Sequence, residues 1–100
     1  MITIDPGVTY RGYVSDIART AVIGQPSKEQ RRIFEVTLRG FNAMADALTV
    51  GTTAAELCKL NFDEIKRHGF DESHAHALQG HEIGFMKNEP PILTPCWEET

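Results

Sequence analysis

Two helix-start signals divide this 100-residue chain and limit what it can become. Ser27 is followed by Gln30, and Thr53 by Glu56. Each pair is a capping box: the hydroxyl accepts from the backbone N–H three residues on, and the longer side chain reaches back to the cap residue's own N–H. After the first box, Phe34, Leu38, Phe41, Ala45 and Leu48 recur at helical spacing. They predict a helix over 28–49 with Gly51 as its C-terminal cap. After the second, Leu57, Leu60 and Ile65 predict another amphipathic helix, closed by "RHG" at Gly69. His68, in its last turn, complements the negative end of the helix dipole.

Residues 2–5 and 12–23 are rich in Ile, Val, Thr and Tyr and are separated by Gly and Pro, a hairpin pattern that "GQPS" brings to an end. Downstream, "AHALQGHEIGF", from about 75 to 86, predicts a further strand. "NEPPILTP" is expected to be an extended loop, because its three prolines forbid helix and remove ladder donors. The order strand, strand, helix, helix, strand predicts an α+β fold, with the helices on one face of a small, largely antiparallel sheet.

The charge balance excludes one class of partner. Ten Lys and Arg face fourteen Asp and Glu, for a net charge of −4, and no basic run exceeds "QRR" or "KR". Nucleic acid is not expected. No apolar run approaches the roughly 20 residues that cross a bilayer, and the N-terminus lacks a secretion pattern, so a cytoplasmic location and no membrane partner are expected. Cys58 and Cys96 have no CxxC or Cys/His spacing and are read as reduced structural cysteines.

The hairpin "TIDPGVTYRGYVSDIART", residues 3–20, carries one aspartate on each arm. If Tyr10 and Arg11 form the loop, residue i faces residue 21 − i and Asp5 faces Asp16. Directly opposed carboxylates, about 5 Å apart, repel by roughly 3 kcal/mol at an effective dielectric constant near 20. Full solvation, a shared proton or a cation must offset that. A divalent metal is the sharpest of these, and His81 in "GHEIG" supplies a matching imidazole. The plainer reading stands beside it: Asp5 as the hydrogen-bonding residue of an "IDPG" turn, Asp16 at a solvated strand edge, and His81 as a structural histidine.

"IDPGVTYRGYVSDIARTAVIGQPSKEQ", followed later by "GHEIGFMKNEPP", resembles the metal-dependent peptidases of the pita-bread fold: prolidase, aminopeptidase P and methionine aminopeptidase. The agreement is ordered and spans nearly the whole chain. The resemblance implies that Asp5 and Asp16 are metal aspartates, Asp16 bridging two ions, and that His81 is the histidine ligand. Arg19 and Thr20 match the "RT" that supports the second aspartate. It implies two divalent ions (Mn, Co, Zn or Fe) holding a hydroxide that attacks the scissile carbonyl of a short peptide. It also allows a homodimeric parent.

Three departures accompany the resemblance. The family closes its site with two later glutamates, and Glu98 and Glu99 do not match their context. Residues 1–100 are therefore expected to be a partial catalytic domain lacking N- and C-terminal parts: half of a pita-bread fold holding three of five ligands, itself nearly inactive. Such a half leaves sheet edges and apolar helix faces uncovered. Asn88 stands where many members have a substrate-side histidine; its amide can donate to an oxyanion but cannot exchange a proton near neutrality. Ala77 replaces another histidine of the prolidase branch, and His76, one residue off, is the substrate-side candidate, with a plain surface role as its alternative, as for His74. The leading expectation is a fragment of a dinuclear metallopeptidase acting at the N-terminal end of short peptides, nearer to prolidase or aminopeptidase P, with Xaa-Pro among the candidate bonds. The alternatives are a non-catalytic pita-bread binding module and a creatinase-like hydrolase of C–N bonds.

Overall fold

The computed structural model describes residues 1–71 and 79–94. Among them the order is β1 (Ile2–Ile4), β2 (Thr9–Tyr10), β3 (Tyr13–Val14), β4 (Arg19–Ala21), α1 (Lys28–Ala47), α2 (Ala54–Arg67), β5 (Gly80–Glu82) and β6 (Glu89–Leu93). Every pairing is antiparallel: β1 with β4, β2 with β3, β5 with β6. The architecture is α+β, as expected, but the strands form three separate two-stranded sheets and not one, and among the described elements it is β6 that packs against a helix, α2.

The first four strands form one hairpin in two stretches. Ile4 pairs with Arg19 and Tyr10 with Tyr13, so residue i faces residue 23 − i throughout. The expected register of 21 − i is corrected because the turn is made by Arg11 and Gly12, at φ 51° and 88°. Two successive positive φ values match the twist of a tight hairpin, and Gly12 takes the second of them without a Cβ penalty. A shift of two residues preserves the face of the sheet. Asp5 and Asp16 are therefore diagonal neighbours and not directly opposed.

Between the two stretches the ladder opens. Pro6 has no N–H to give, and the Val8 N–H donates to Ser15 Oγ at 3.1 Å instead of to a carbonyl. The Ser15 N–H returns to Val8 O at 2.9 Å and keeps the register. The continuous strand expected over 12–23 is thus two short ones, with Asp16 in the gap.

Both capping boxes close. Ser27 Oγ accepts from the Gln30 N–H at 3.1 Å, and Gln30 Oε1 from the Ser27 N–H at 2.9 Å. Thr53 Oγ1 accepts from the Glu56 N–H at 3.2 Å, and Glu56 Oε2 from the Thr53 N–H at 2.8 Å. Helix α1 stops at Ala47 with Leu48 as its cap, so Gly51 lies in the following turn, at φ 100°, and is not the cap. Helix α2 ends as expected at Gly69: its N–H reaches Lys66 O at 3.0 Å and the Phe70 N–H reaches Ile65 O at 3.1 Å, a Schellman motif. The His68 ring meets Glu64 Oε1 at 3.0 Å, and its carbonyl accepts from Arg32 of α1 at 2.7 Å. The Arg32 guanidinium also lies 4.4 Å from the Phe70 ring centroid, which ties the two helices at this end.

The Thr53 N–H, followed by its hydroxyl, holds the Glu56 carboxyl below its ordinary value of 4.5. A depressed carboxyl stabilises the fold fully above that value and loses the contribution as pH falls through the lower, folded one. The melting temperature, followed by helical circular dichroism, should therefore fall between about pH 5 and 3 more steeply in the wild type than in Glu56→Gln, whose neutral amide still accepts at the cap. Parallel acid limbs would remove this carboxyl as a contributor.

Helices α1 and α2 pack on each other around Val36, Leu57, Cys58 and Ile65, which are buried. Gly40 permits the close approach: a Cβ there would run into the side chain of Asn61. Asn61 in turn donates to Gln79, the residue before β5. Burial raises the Cys58 thiol above its ordinary 9.0, which suits a structural cysteine, while Cys96 lies outside the described residues. The outer face of α1 is apolar and uncovered, with Phe34 and Phe41 at 59% and 63% exposure.

Two further expectations are corrected at the C-terminal end. Residues 89–93 of "NEPPILTP" are strand β6, not loop. Gly80 pairs with Leu93 and His81 with Ile92; the register then slips so that Glu82 faces Glu89. Pro90 and Pro91 fall in the slipped segment, where no ladder donor is required of them. Among the described residues, the strand expected from 75 to 86 covers Gly80–Glu82; residues 75–78 lie outside those described.

Candidate metal centre

The opened part of the hairpin and the β5–β6 loop come together at one place. The Val14 N–H donates to Gly84 O at 2.8 Å, and the rings of Tyr13 and Phe85 stack with centroids 4.7 Å apart. Glu89 braces the loop from within by accepting the Met86 N–H at 2.7 Å. These contacts carry His81 and Lys87 to the aspartates.

His81 Nε2 lies 3.1 Å from Asp16 Oδ2. Lys87 Nζ lies 3.1 Å from Asp5 Oδ2 and 3.3 Å from Asp16 Oδ1. The carboxylates therefore share one cation, one of the three forms of compensation that their proximity demanded. The two carboxylates raise the Lys87 ammonium above its ordinary 10.5, Asp5 contributing most. This stabilisation is fully present below that value and is lost as pH rises through the folded one. Asp16 and His81 are mostly covered, at 17% and 15% side-chain exposure, whereas Asp5 and Lys87 keep 45% and 47%. The cluster is thus closed on one side and open to solvent on the other.

The tautomer of His81 carries chemical information. Its Nδ1 lies 2.9 Å from Glu82 O, and a carbonyl can only accept, so Nδ1 holds the hydrogen. In the neutral ring, Nε2 then turns its lone pair toward a carboxylate oxygen. Two acceptors at that distance need a proton or a cation between them. A ring anchored through Nδ1–H to a carbonyl, with Nε2 facing carboxylate oxygens, is the arrangement metal-binding histidines use. The chemistry of Asp16 and His81 therefore suits a divalent metal. Among the described residues, however, no group of three or more His, Cys, Asp and Glu is arranged so that it could hold a metal ion.

The family profile of metallopeptidase family M24 matches residues 1–98. The chain belongs to this family. It is 36% identical over all its 100 residues to an Xaa-Pro dipeptidase of Pyrococcus furiosus, of which it covers 28%. The prolidase structure from Pyrococcus furiosus superposes with a TM-score of 0.85 at 36% identity, over 94% of this chain and 28% of that one. An X-Pro aminopeptidase structure from Thermotoga maritima gives 0.86 at 28% identity, over 94% of this chain and 26% of that one. The chain thus spans little more than a quarter of these M24 relatives, and its fold is the pita-bread fold of its structural neighbours.

The other candidates are placed unevenly. Arg19 and Thr20 lie in β4, paired with Ile4 and Thr3 immediately before Asp5, and Arg19 Nη1 donates to Ala18 O at 2.7 Å. Asn88 is exposed in the loop next to Lys87. His74, His76, Ala77, Glu98 and Glu99 lie outside the described residues. Lys87 was missed by the sequence reading; its only signal there is that it is the sole cation of "GHEIGFMKNEPP". Among the described residues, no helix is long and apolar enough to cross a membrane.

Proposed function

We propose that Asp5, Asp16 and His81 are metal ligands, and that the protein to which these residues belong hydrolyses the N-terminal peptide bond of short peptides, Xaa-Pro bonds included. The observation that carries this is the His81 ring, anchored at Nδ1 to the Glu82 carbonyl with Nε2 3.1 Å from Asp16 Oδ2, beside two carboxylates that one Lys87 ammonium bridges. The likeness to an Xaa-Pro dipeptidase of Pyrococcus furiosus supports the choice of bond.

When bound, a divalent metal such as Mn²⁺ supplies an activated water and polarises the scissile carbonyl. The chain's own residues do the rest. Asp5 and Asp16 contribute the negative charge that holds the cation, and the Glu82 carbonyl fixes the His81 ring so that Nε2 faces inward. Asn88 offers an N–H donor to a developing oxyanion and moves no proton. The covered side of the cluster limits water, and the exposed side admits substrate.

Three donors are fewer than the four to six or more that such ions take, so the 100-residue chain by itself is expected to hold metal weakly. The parent is expected in the cytoplasm, with two ions and a short peptide as its partners. The test is hydrolysis of an Xaa-Pro dipeptide with Mn²⁺ or Co²⁺ added. The intact parent should turn it over and the 100-residue chain hardly at all. A metal-loaded parent that binds but never cleaves such peptides would favour the non-catalytic reading, for which the amide of Asn88 speaks.

A further inference from the structure

We propose that Lys87 is a tethered counter-ion that competes with the divalent metal for Asp5 and Asp16. The proposal rests on the metal-ligand reading above and goes beyond it, because it assigns a role to a residue outside the donor set. Lys87 Nζ contacts Asp5 Oδ2 at 3.1 Å and Asp16 Oδ1 at 3.3 Å, so one ammonium spans both carboxylates. It is delivered there by the loop that the Val14–Gly84 hydrogen bond and the Tyr13–Phe85 stack fasten to the hairpin.

A metal bound by these carboxylates would lie about 2 Å from their oxygens, within a few ångströms of that nitrogen. Two cations cannot share that space without strong repulsion, so metal entry requires the ammonium to leave. Lys87 can do so: its side chain is 47% exposed and ends a flexible four-carbon stem. The ammonium offsets half the charge of two carboxylates held on one face of the hairpin and links them to the β5–β6 loop. The same contacts that hold the two carboxylates together lower their apparent metal affinity.

The experiment is titration of the full chain with Mn²⁺, following the electron paramagnetic resonance signal of free Mn²⁺, alongside thermal melting in chelator. Lys87→Met should bind Mn²⁺ roughly tenfold more tightly than wild type, the scale expected for two exposed ion pairs, and should melt lower than wild type in chelator. Lys87→Gln should behave in the same way. Lys87→Arg should retain the weak affinity, and Lys28→Met, which changes net charge equally at the start of α1, should match wild type. Equal Mn²⁺ affinity for wild type and Lys87→Met overturns the competition and leaves the metal reading intact. So does an equal gain in Lys28→Met, which would be bulk charge. No Mn²⁺ binding by any chain overturns both readings.

Discussion

Asp16→Ala should weaken Mn²⁺ binding by more than about 100-fold, since the loss of a residue that merely orients a ligand already costs 10- to 100-fold. Asp16 is the hinge of the cluster. It faces the His81 ring with one oxygen and Lys87 with the other, and it is largely covered. Removing it deletes the negative charge that faces both His81 Nε2 and the Lys87 ammonium. Asp5→Ala should have a smaller effect, because the Asp5 carboxylate is far more exposed than that of Asp16 and is held by the Lys87 ammonium. Metal titration of both variants checks the order, and melting in chelator shows whether the fold survives. For Asp5→Ala the melting temperature should change little, because an exposed ion pair such as Asp5–Lys87 is worth about 0–1 kcal/mol. If Asp16→Ala binds Mn²⁺ as wild type does, Asp16 is no ligand.

Gly40→Leu should destabilise the chain by about 1–3 kcal/mol, the usual range for overpacking. Gly40 is buried on α1 where it crosses α2, and any Cβ there collides with the Asn61 side chain. Asn61 must then rotate and release Gln79, which also donates its N–H to Leu93 O at 2.8 Å at the start of the β5–β6 pair. The gain in helix propensity on removing a glycine, about 1 kcal/mol, offsets only part of the loss. For a domain of this size the melting temperature should drop by about 5 °C or more. Gly40→Ala should fall in between. The damage should reach His81, two residues after Gln79, as a weaker Mn²⁺ affinity in Gly40→Leu. A melting temperature equal to wild type would mean that the helices can part at Gly40 without loss.

The cluster connects the two halves of the described chain in a specific way. The hairpin places carboxylates where its own ladder is interrupted by Pro6 and by the Ser15 hydroxyl. The β5–β6 loop answers with an imidazole and an ammonium. Neither part holds a neutral set of charges alone, so docking of the loop is also electrostatic assembly of the site.

What could be read from the sequence follows the range of the interactions involved. The helix starts at Ser27 and Thr53, the stop at Gly69 and the family likeness were legible, because capping bonds span three residues and motifs are contiguous. The hairpin was legible but its register was not: choosing Arg11–Gly12 over Tyr10–Arg11 depends on which backbone adopts positive φ. The proline-bearing β6 was hidden because its partner strand slips register opposite the prolines. Lys87 and Asp5 stand 82 positions apart, and nothing local to either marks the other as its partner. Sequence alone thus determined where helices begin and end and which side chains were chemically suited to a cation. Only the tertiary structure decided that two carboxylates, an imidazole and an ammonium meet, because that meeting depends on how a hairpin and a distant loop dock.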